Sequence, residues 1–396
     1  MKKALRPSTH GFSLIELMMA LALGVLITGA AVKLYSTGMD ATWVVQQRAE
    51  MQQDLRAAEN MLLKDISLAG AGLSQGPPGE SIALPNASAI PVYGCSPAGC
   101  MPNGGLTYPC IGGAPCFPTL YPLMPGFQKG IIPPGSVTPS DIITVVYTDT
   151  NLALNCYTNP ALTFAGSTLT FTAPTLPLPG GCVLPPGIAY PQALNNTVNG
   201  LISGDIVMVD TATGWAIGEV TGVAPANPGN VAPTPGVSQY VIAFANGDTL
   251  NLNQSGKTND LTQILGGANP QAWRIYVVTY YLANQTDGGG NTTTILYRQV
   301  NGQPAVPMVD NIANMQFTYD SYDSSGDLLN ATGDGGEFSV VPNISPNQIR
   351  KVNILHLTIH GQLYGTKSSL MATQGFQSFD VQTSMSTRNM SYSNRY

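Results

Sequence analysis

The sequence predicts an α+β protein, with one long N-terminal helix, transmembrane then amphipathic, packed on an antiparallel β-sheet head. Three observations predict it. The run from Phe12 to Val32 is apolar and carries one charge, Glu16. No proline interrupts residues 12–73, and apolar side chains recur at helical spacing after that run. Further on, β-branched runs alternate with clusters of Gly, Asn and Asp, the pattern of strands and turns.

Composition narrows the function. The chain has 396 residues and a net charge of −6. That balance excludes a strongly basic surface of the kind that neutralises nucleic-acid phosphates. Charged residues are 10% of the chain, well below an ordinary soluble domain. The charges are also unevenly placed. Residues 1–11 hold Lys2, Lys3 and Arg6 and no acid, whereas the long body is weakly charged and rich in Thr, Asn, Ser, Gly and Pro. A basic leader ahead of an apolar stretch of about 20 residues predicts a bilayer-spanning helix with its N-terminus in the cytoplasm. A secretory signal peptide would have a shorter apolar core and a small-residue cleavage site behind it.

The helix is expected to continue well past the membrane. Val44, Met51, Leu55, Ala58, Leu62, Ile66 and Ala69 fall on one face, with Arg48, Glu50, Asp54, Arg56, Glu59 and Lys64 mostly off it. Gly70-Ala71-Gly72 supplies the stop.

Glu16 stands out, because a carboxylate at membrane depth costs several kcal/mol unless it finds a partner. One reading lets it snorkel to the headgroups. In the other it meets a cation. Cleavage between Gly11 and Phe12 would create an α-amino group on Phe12. A full helical turn separates that group from Glu16 of the same chain, so the expected pairing is with a neighbouring, axially shifted copy.

Gly11-Phe12-Ser13-Leu14-Ile15-Glu16, behind a short basic leader and opening an apolar helix, resembles the cleavage and methylation motif of type IV pilins and pseudopilins. The resemblance implies that residues 1–11 are a leader peptide and that prepilin peptidase cuts after Gly11 and N-methylates Phe12. It also implies that Phe12 and Glu16 guide docking into a helical filament. Many major pilins carry a proline where Lys33 stands here. Gly24 and Gly29 are the expected substitutes as points of local melting, since glycine weakens a helix by about 1 kcal/mol relative to alanine.

Residues 73–260 read as an insertion that is first rich in Pro, Gly and Cys and then rich in β-structure. In an exported chain the six cysteines, Cys95, Cys100, Cys110, Cys116, Cys156 and Cys182, are expected as disulfides, with sequence neighbours paired as 95–100, 110–116 and 156–182. No C-x-x-C pair or nearby histidine favours zinc. Strands are expected over 141–149, 205–210, 215–223, 273–283, 292–300, 315–319, 351–363 and 377–386. The residues Asp287 to Asn291 form a hairpin turn. The C-terminal head, 261–396, carries a second resemblance from about residue 270. Tyr280-Tyr281-Leu282-Ala283, Ile295-Leu296-Tyr297-Arg298 and Val309-Asp310-Asn311-Ile312 are similar to the head of PilW-type minor pilins.

Other motifs carry less. Gly256-Lys257-Thr258 has Asn251 where a phosphate-binding loop needs its first glycine. His356 and His360 on one strand face would stand about 13 Å apart, too far to share an ion. Asp320, Asp323 and Asp327 could hold calcium through oxygen ligands, but a solvated turn explains them more simply. No catalytic constellation assembles, and no cofactor is expected. The leading expectation is a non-enzymatic minor pilin near the pilus tip that helps prime assembly. Its partners would be the major pilin, other minor pilins, prepilin peptidase and the inner-membrane assembly platform. It would sit first in the inner membrane with its head in the periplasm, and then in the pilus at the cell surface. The alternatives are a J-type minor pseudopilin of a type II secretion system, or a tethered binding protein or enzyme on a pilin-like anchor.

Overall fold

The computed structural model describes residues 13–73, 82–83, 95–96, 99–100, 119–126, 130–134, 136–149, 151–152, 154–157, 163–165, 168–172, 193–196, 199–211, 214–225, 239–248, 252–253, 271–286, 292–322, 327–328, 348–362 and 376–387, with isolated positions between them. The chain divides into two compact units. One comprises residues 1–53 and 361–378, the other residues 54–360 and 379–396.

Helix α1 runs from Leu14 to Leu68, 55 residues, or roughly 80 Å at 1.5 Å per residue. From Leu14 to Trp43 its side chains are exposed, and Val44 is the first buried one. Within the second unit Leu55, Ala58, Leu62 and Ile66, with Ala69 just past the helix, are buried at the i, i+3, i+4 spacing read from the sequence. The stop also falls as expected. Gly70 and Gly72 take φ of 76° and 72°, the left-handed conformation that glycine alone adopts freely. At Gly72 a Cβ would lie 1.7 Å from Thr148 Oγ1, so the chain leaves the helix where only glycine fits.

The head is built from antiparallel ladders. The described strands of its three larger sheets are β1 (Leu123–Gly126), β2 (Ile142–Thr148), β3 (Thr163–Ala165), β4 (Thr168–Thr172), β5 (Ile206–Thr211), β6 (Gly214–Glu219), β7 (Gly222–Pro225), β8 (Gln239–Ala243), β9 (Gln271–Thr286), β10 (Thr292–Val300), β11 (Val306–Asp310), β12 (Ile312–Ser321), β13 (Ile349–Gln362) and β14 (Phe376–Ser386). The largest sheet has the order β6-β5-β9-β10-β11. Strand β2 lies on the other edge of β9, and β1 lies on β2. Sixteen-residue β9 is its spine. It pairs with β5 through Gln271–Ile275, with β2 through Ile275–Tyr280 and with β10 through Val278–Thr286. A second sheet runs β7-β8-β4-β3 and a third β12-β13-β14.

Side-chain alternation divides the apolar residues between the two faces of the large sheet. Val207, Val209, Ala216 and Ala272 pack with Leu169, Phe171 and Ile242 of the second sheet. On the opposite parity Ile206, Met208, Ile217 and Ile275 pack with Leu73, Leu120, Met124 and Leu252. The architecture is therefore α+β, a long helix on an antiparallel sheet head, as the sequence predicts. The strand expected over 215–223 breaks at Val220–Thr221, so that β6 stays in the large sheet and β7 enters the second.

Candidate functional site

At the start of α1, Ser13 is the N-cap. Its Oγ accepts the Ile15 N–H at 3.3 Å, and Glu16 Oε2 reaches back to accept the Ser13 N–H at 3.0 Å. Ser13-Leu14-Ile15-Glu16 is thus a reciprocal capping box that satisfies two helix-end amides. The sequence reading gave Glu16 a partner in another chain and missed this one, although the S-x-x-E spacing signals it. Gly11 and Phe12 lie outside the described residues. Behind the cap, Leu14, Ile15, Leu17, Met18, Leu21 and Val25 are each more than half exposed. An apolar cylinder of this length needs a cover, either hydrocarbon or other apolar helices.

At the other end of the helix, Asp65 is 2% exposed on the packed face. It accepts hydrogen bonds from the hydroxyls of Tyr280 on β9 at 2.6 Å and Tyr147 on β2 at 3.2 Å. Its third partner is the Arg298 guanidinium of β10, at 2.8 Å. Arg298 Nε also lies 3.1 Å from the Tyr280 hydroxyl. Burial, and then the Asp65 charge, push both phenols far above their ordinary range. Burial alone would lower the Arg298 pKa, but the hydrogen bond and charge of Asp65 outweigh it and raise it. With all three raised, two neutral phenol hydroxyls and a guanidinium cation converge on the Asp65 side chain. Asp65 escaped sequence reading because the helix is rich in charges. Its signal is the three-residue step from Leu62.

A second buried ionic cluster gathers around Arg274, also on β9. Its Nε donates to Asp149 Oδ2 at 2.9 Å, and its Nη2 donates to the same oxygen. Nη1 donates to the Gly200 carbonyl at 2.7 Å and, at 3.4 Å, to Asp205. The Tyr276 hydroxyl donates to Asp149 at 3.3 Å, and the guanidinium stands 5.2 Å from the Tyr276 ring centroid. Burial raises the Asp205 carboxyl above its ordinary range. The Ile202 amide and the Arg274 charge oppose that shift without cancelling it. Burial likewise pushes the Tyr276 phenol up to about 12, although the Arg274 charge opposes it.

Of the expected disulfides, Cys156–Cys182 is formed, with Cα atoms 4.7 Å apart. Cys95 and Cys100 are backbone partners across a two-residue ladder, and Cys110 and Cys116 lie outside the described residues. His356 is engaged by Asp380 of β14, with Nδ1 to Oδ2 at 2.8 Å, and Asp380 also accepts from Thr358 at 2.8 Å. Asp320 is held by Lys351 at 3.4 Å and by Asn353 at 3.0 Å, and Tyr322 forms an isolated antiparallel bridge with Leu328. Asp323 and Gly256-Lys257-Thr258 lie outside the described residues, among which no group of acids, histidines or cysteines is placed to hold a metal.

Residues 6–32 match a family model described as the prokaryotic N-terminal methylation motif. No curated protein and no solved structure matches the chain. The match covers the residues that hold Gly11, Phe12 and the capping box. It supports a pilin-like or pseudopilin N-terminus that prepilin peptidase processes, on a helix long and apolar enough to cross a membrane.

Proposed function

We propose that this chain is a structural filament subunit, a minor pilin of a type IV pilus that sits near the tip and helps prime assembly. The observation that carries the reading is the methylation motif at residues 6–32, placed where an exposed apolar helix begins. The pilus reading is preferred to a secretion pseudopilus because the head is large for a compact pseudopilin. That head carries three substantial sheets and a disulfide-closed segment. The arm anchors the chain in the inner membrane with the head outside the cytosol. Prepilin peptidase removes residues 1–11 and methylates Phe12. The apolar arm then exchanges lipid for the arms of the major pilin and other minor pilins on the assembly platform. In that step Glu16 meets the Phe12 amino group of a neighbour. No catalytic role is assigned to the head.

The test is intact-mass and N-terminal analysis of the protein recovered from sheared filaments. The expected product begins at methylated Phe12. Retention of residues 1–11 in filaments, or cleavage near residue 30, would end this reading.

A further inference from the structure

Helix α1 is continuous from Leu14 to Leu68, but its supports are not. Leu14 to Val32 spans about 28 Å, close to the hydrocarbon thickness of a bilayer. Packing within the protein resumes at Val44, which is 4% exposed. Between Lys33 and Trp43 no side chain is buried within the protein.

That stretch is also the poorest helix former of the arm. Ser36-Thr37-Gly38-Met39-Asp40-Ala41-Thr42 contains a glycine and four residues of low helix propensity. The Ser36 and Thr37 hydroxyls both donate to the Lys33 carbonyl, at 3.0 and 2.9 Å, and Thr42 donates to the Gly38 carbonyl at 2.9 Å. Such back-bonding competes with the amide ladder and bends helices. Nothing lies within 4 Å of where a Gly38 Cβ would stand, so no contact explains the glycine. Gly24 and Gly29 are equally open, but they lie at hydrocarbon depth. There an opened amide finds no water, and the bilayer itself enforces the helix. Beyond Lys33 water can take over each released amide.

We propose that Ser36–Thr42 is a hinge built into the arm, which opens reversibly between the membrane-held segment and the packed segment that starts at Val44. This rests on the membrane-anchored filament-subunit reading. In that reading the hinge lets the arm change direction as the subunit leaves the bilayer, without breaking helix inside the hydrocarbon.

The experiment is amide hydrogen exchange by mass spectrometry on the full chain in lipid nanodiscs. Amides of 36–42 are expected to exchange at least about ten-fold faster than those of 20–32 and 58–68. The triple variant Ser36→Ala, Thr37→Ala, Gly38→Ala should slow them about thirty-fold, the summed propensity gain expressed as an opening constant. Alanine at exposed helix positions leaves the fold intact, so the variant is readable. Protection of 36–42 equal to both flanks, or an unchanged rate in the triple variant, overturns the hinge and leaves the membrane reading standing. Fast exchange through 20–32 as well would overturn both, because the held end would be missing.

Discussion

Replacing Asp65 with alanine should loosen the helix from the sheet by an amount that the site's own geometry sets. The change removes the acceptor of two phenol hydrogen bonds and the counter-charge of Arg298. Hydrogen bonds to a charged acceptor contribute about 1.5–3 kcal/mol each, and stranding one member of a buried ion pair costs about 3–5 kcal/mol. These figures overlap, because both count the same carboxylate. The Arg298 side chain retains 22% exposure, so water recovers part of its solvation. The lower end is therefore expected, a loss of about 3 kcal/mol. The assay is urea unfolding of the detergent-solubilised full chain, followed by tryptophan fluorescence, with Trp273 packed against the core as one reporter. Arg298→Met alone should also destabilise. The double variant should lose less than the sum of the two, with a coupling of at least about 1 kcal/mol. A loss under about 1 kcal/mol for Asp65→Ala, or additive single effects, would show that the apolar face alone seats the helix.

Arg274→Met should cost about 3–5 kcal/mol at neutral pH, because two buried carboxylates lose their cation. The native Asp205 carboxyl already lies above its ordinary range, so its contribution is present below about pH 4 and declines as pH rises through the native value. Losing Arg274 raises it further. The deficit of the variant should thus shrink toward pH 4 and grow toward pH 7, and unfolding curves showing a constant deficit across that range would contradict this assignment. Glu16→Gln keeps a side chain able to close the capping box, whereas Glu16→Ala removes both cap and charge. If docking needs the charge, both variants are processed at Phe12 but poorly incorporated into filaments. Normal incorporation of Glu16→Gln would reduce Glu16 to a cap.

The helix, its packed face and its glycine stop were legible because each rests on local rules, namely apolar spacing, the absence of proline and a left-handed exit. The strands were legible as β-branched runs, yet their partners were not. Strand β9 takes three neighbours along sixteen residues, and two of them come from before residue 211. Nothing in a run of Val, Tyr and Thr says which distant strand it will meet, because register is settled by burial across the whole sheet. The short strands Thr168–Thr172 and Gln239–Ala243 were missed for a related reason. They show the strand pattern weakly and are stabilised by packing on a core that forms only once the large sheet is in place.

The buried charges were illegible for a further reason: their meaning depends on the parity of a single strand. Arg274, Tyr276 and Tyr280 are even-numbered residues of β9 and project from one face of the sheet. Tyr280 faces Asp65 on the helix, while Arg274 and Tyr276 face Asp149, Asp205 and the Gly200 carbonyl. The same face thus receives the helix at one end of the strand and the segments flanking β2 and β5 at the other. Ion pairs of this kind contribute little net stability over well-packed apolar residues, but removing one partner is strongly destabilising. A slip of one residue in β9 would turn all three side chains to the opposite face, taking Tyr280 from Asp65 and taking Arg274 and Tyr276 from Asp149 and Asp205. A wrong pairing of β9 therefore separates buried charges from the partners they have here. Two buried clusters on one strand allow a single register for a head assembled from segments far apart in the chain.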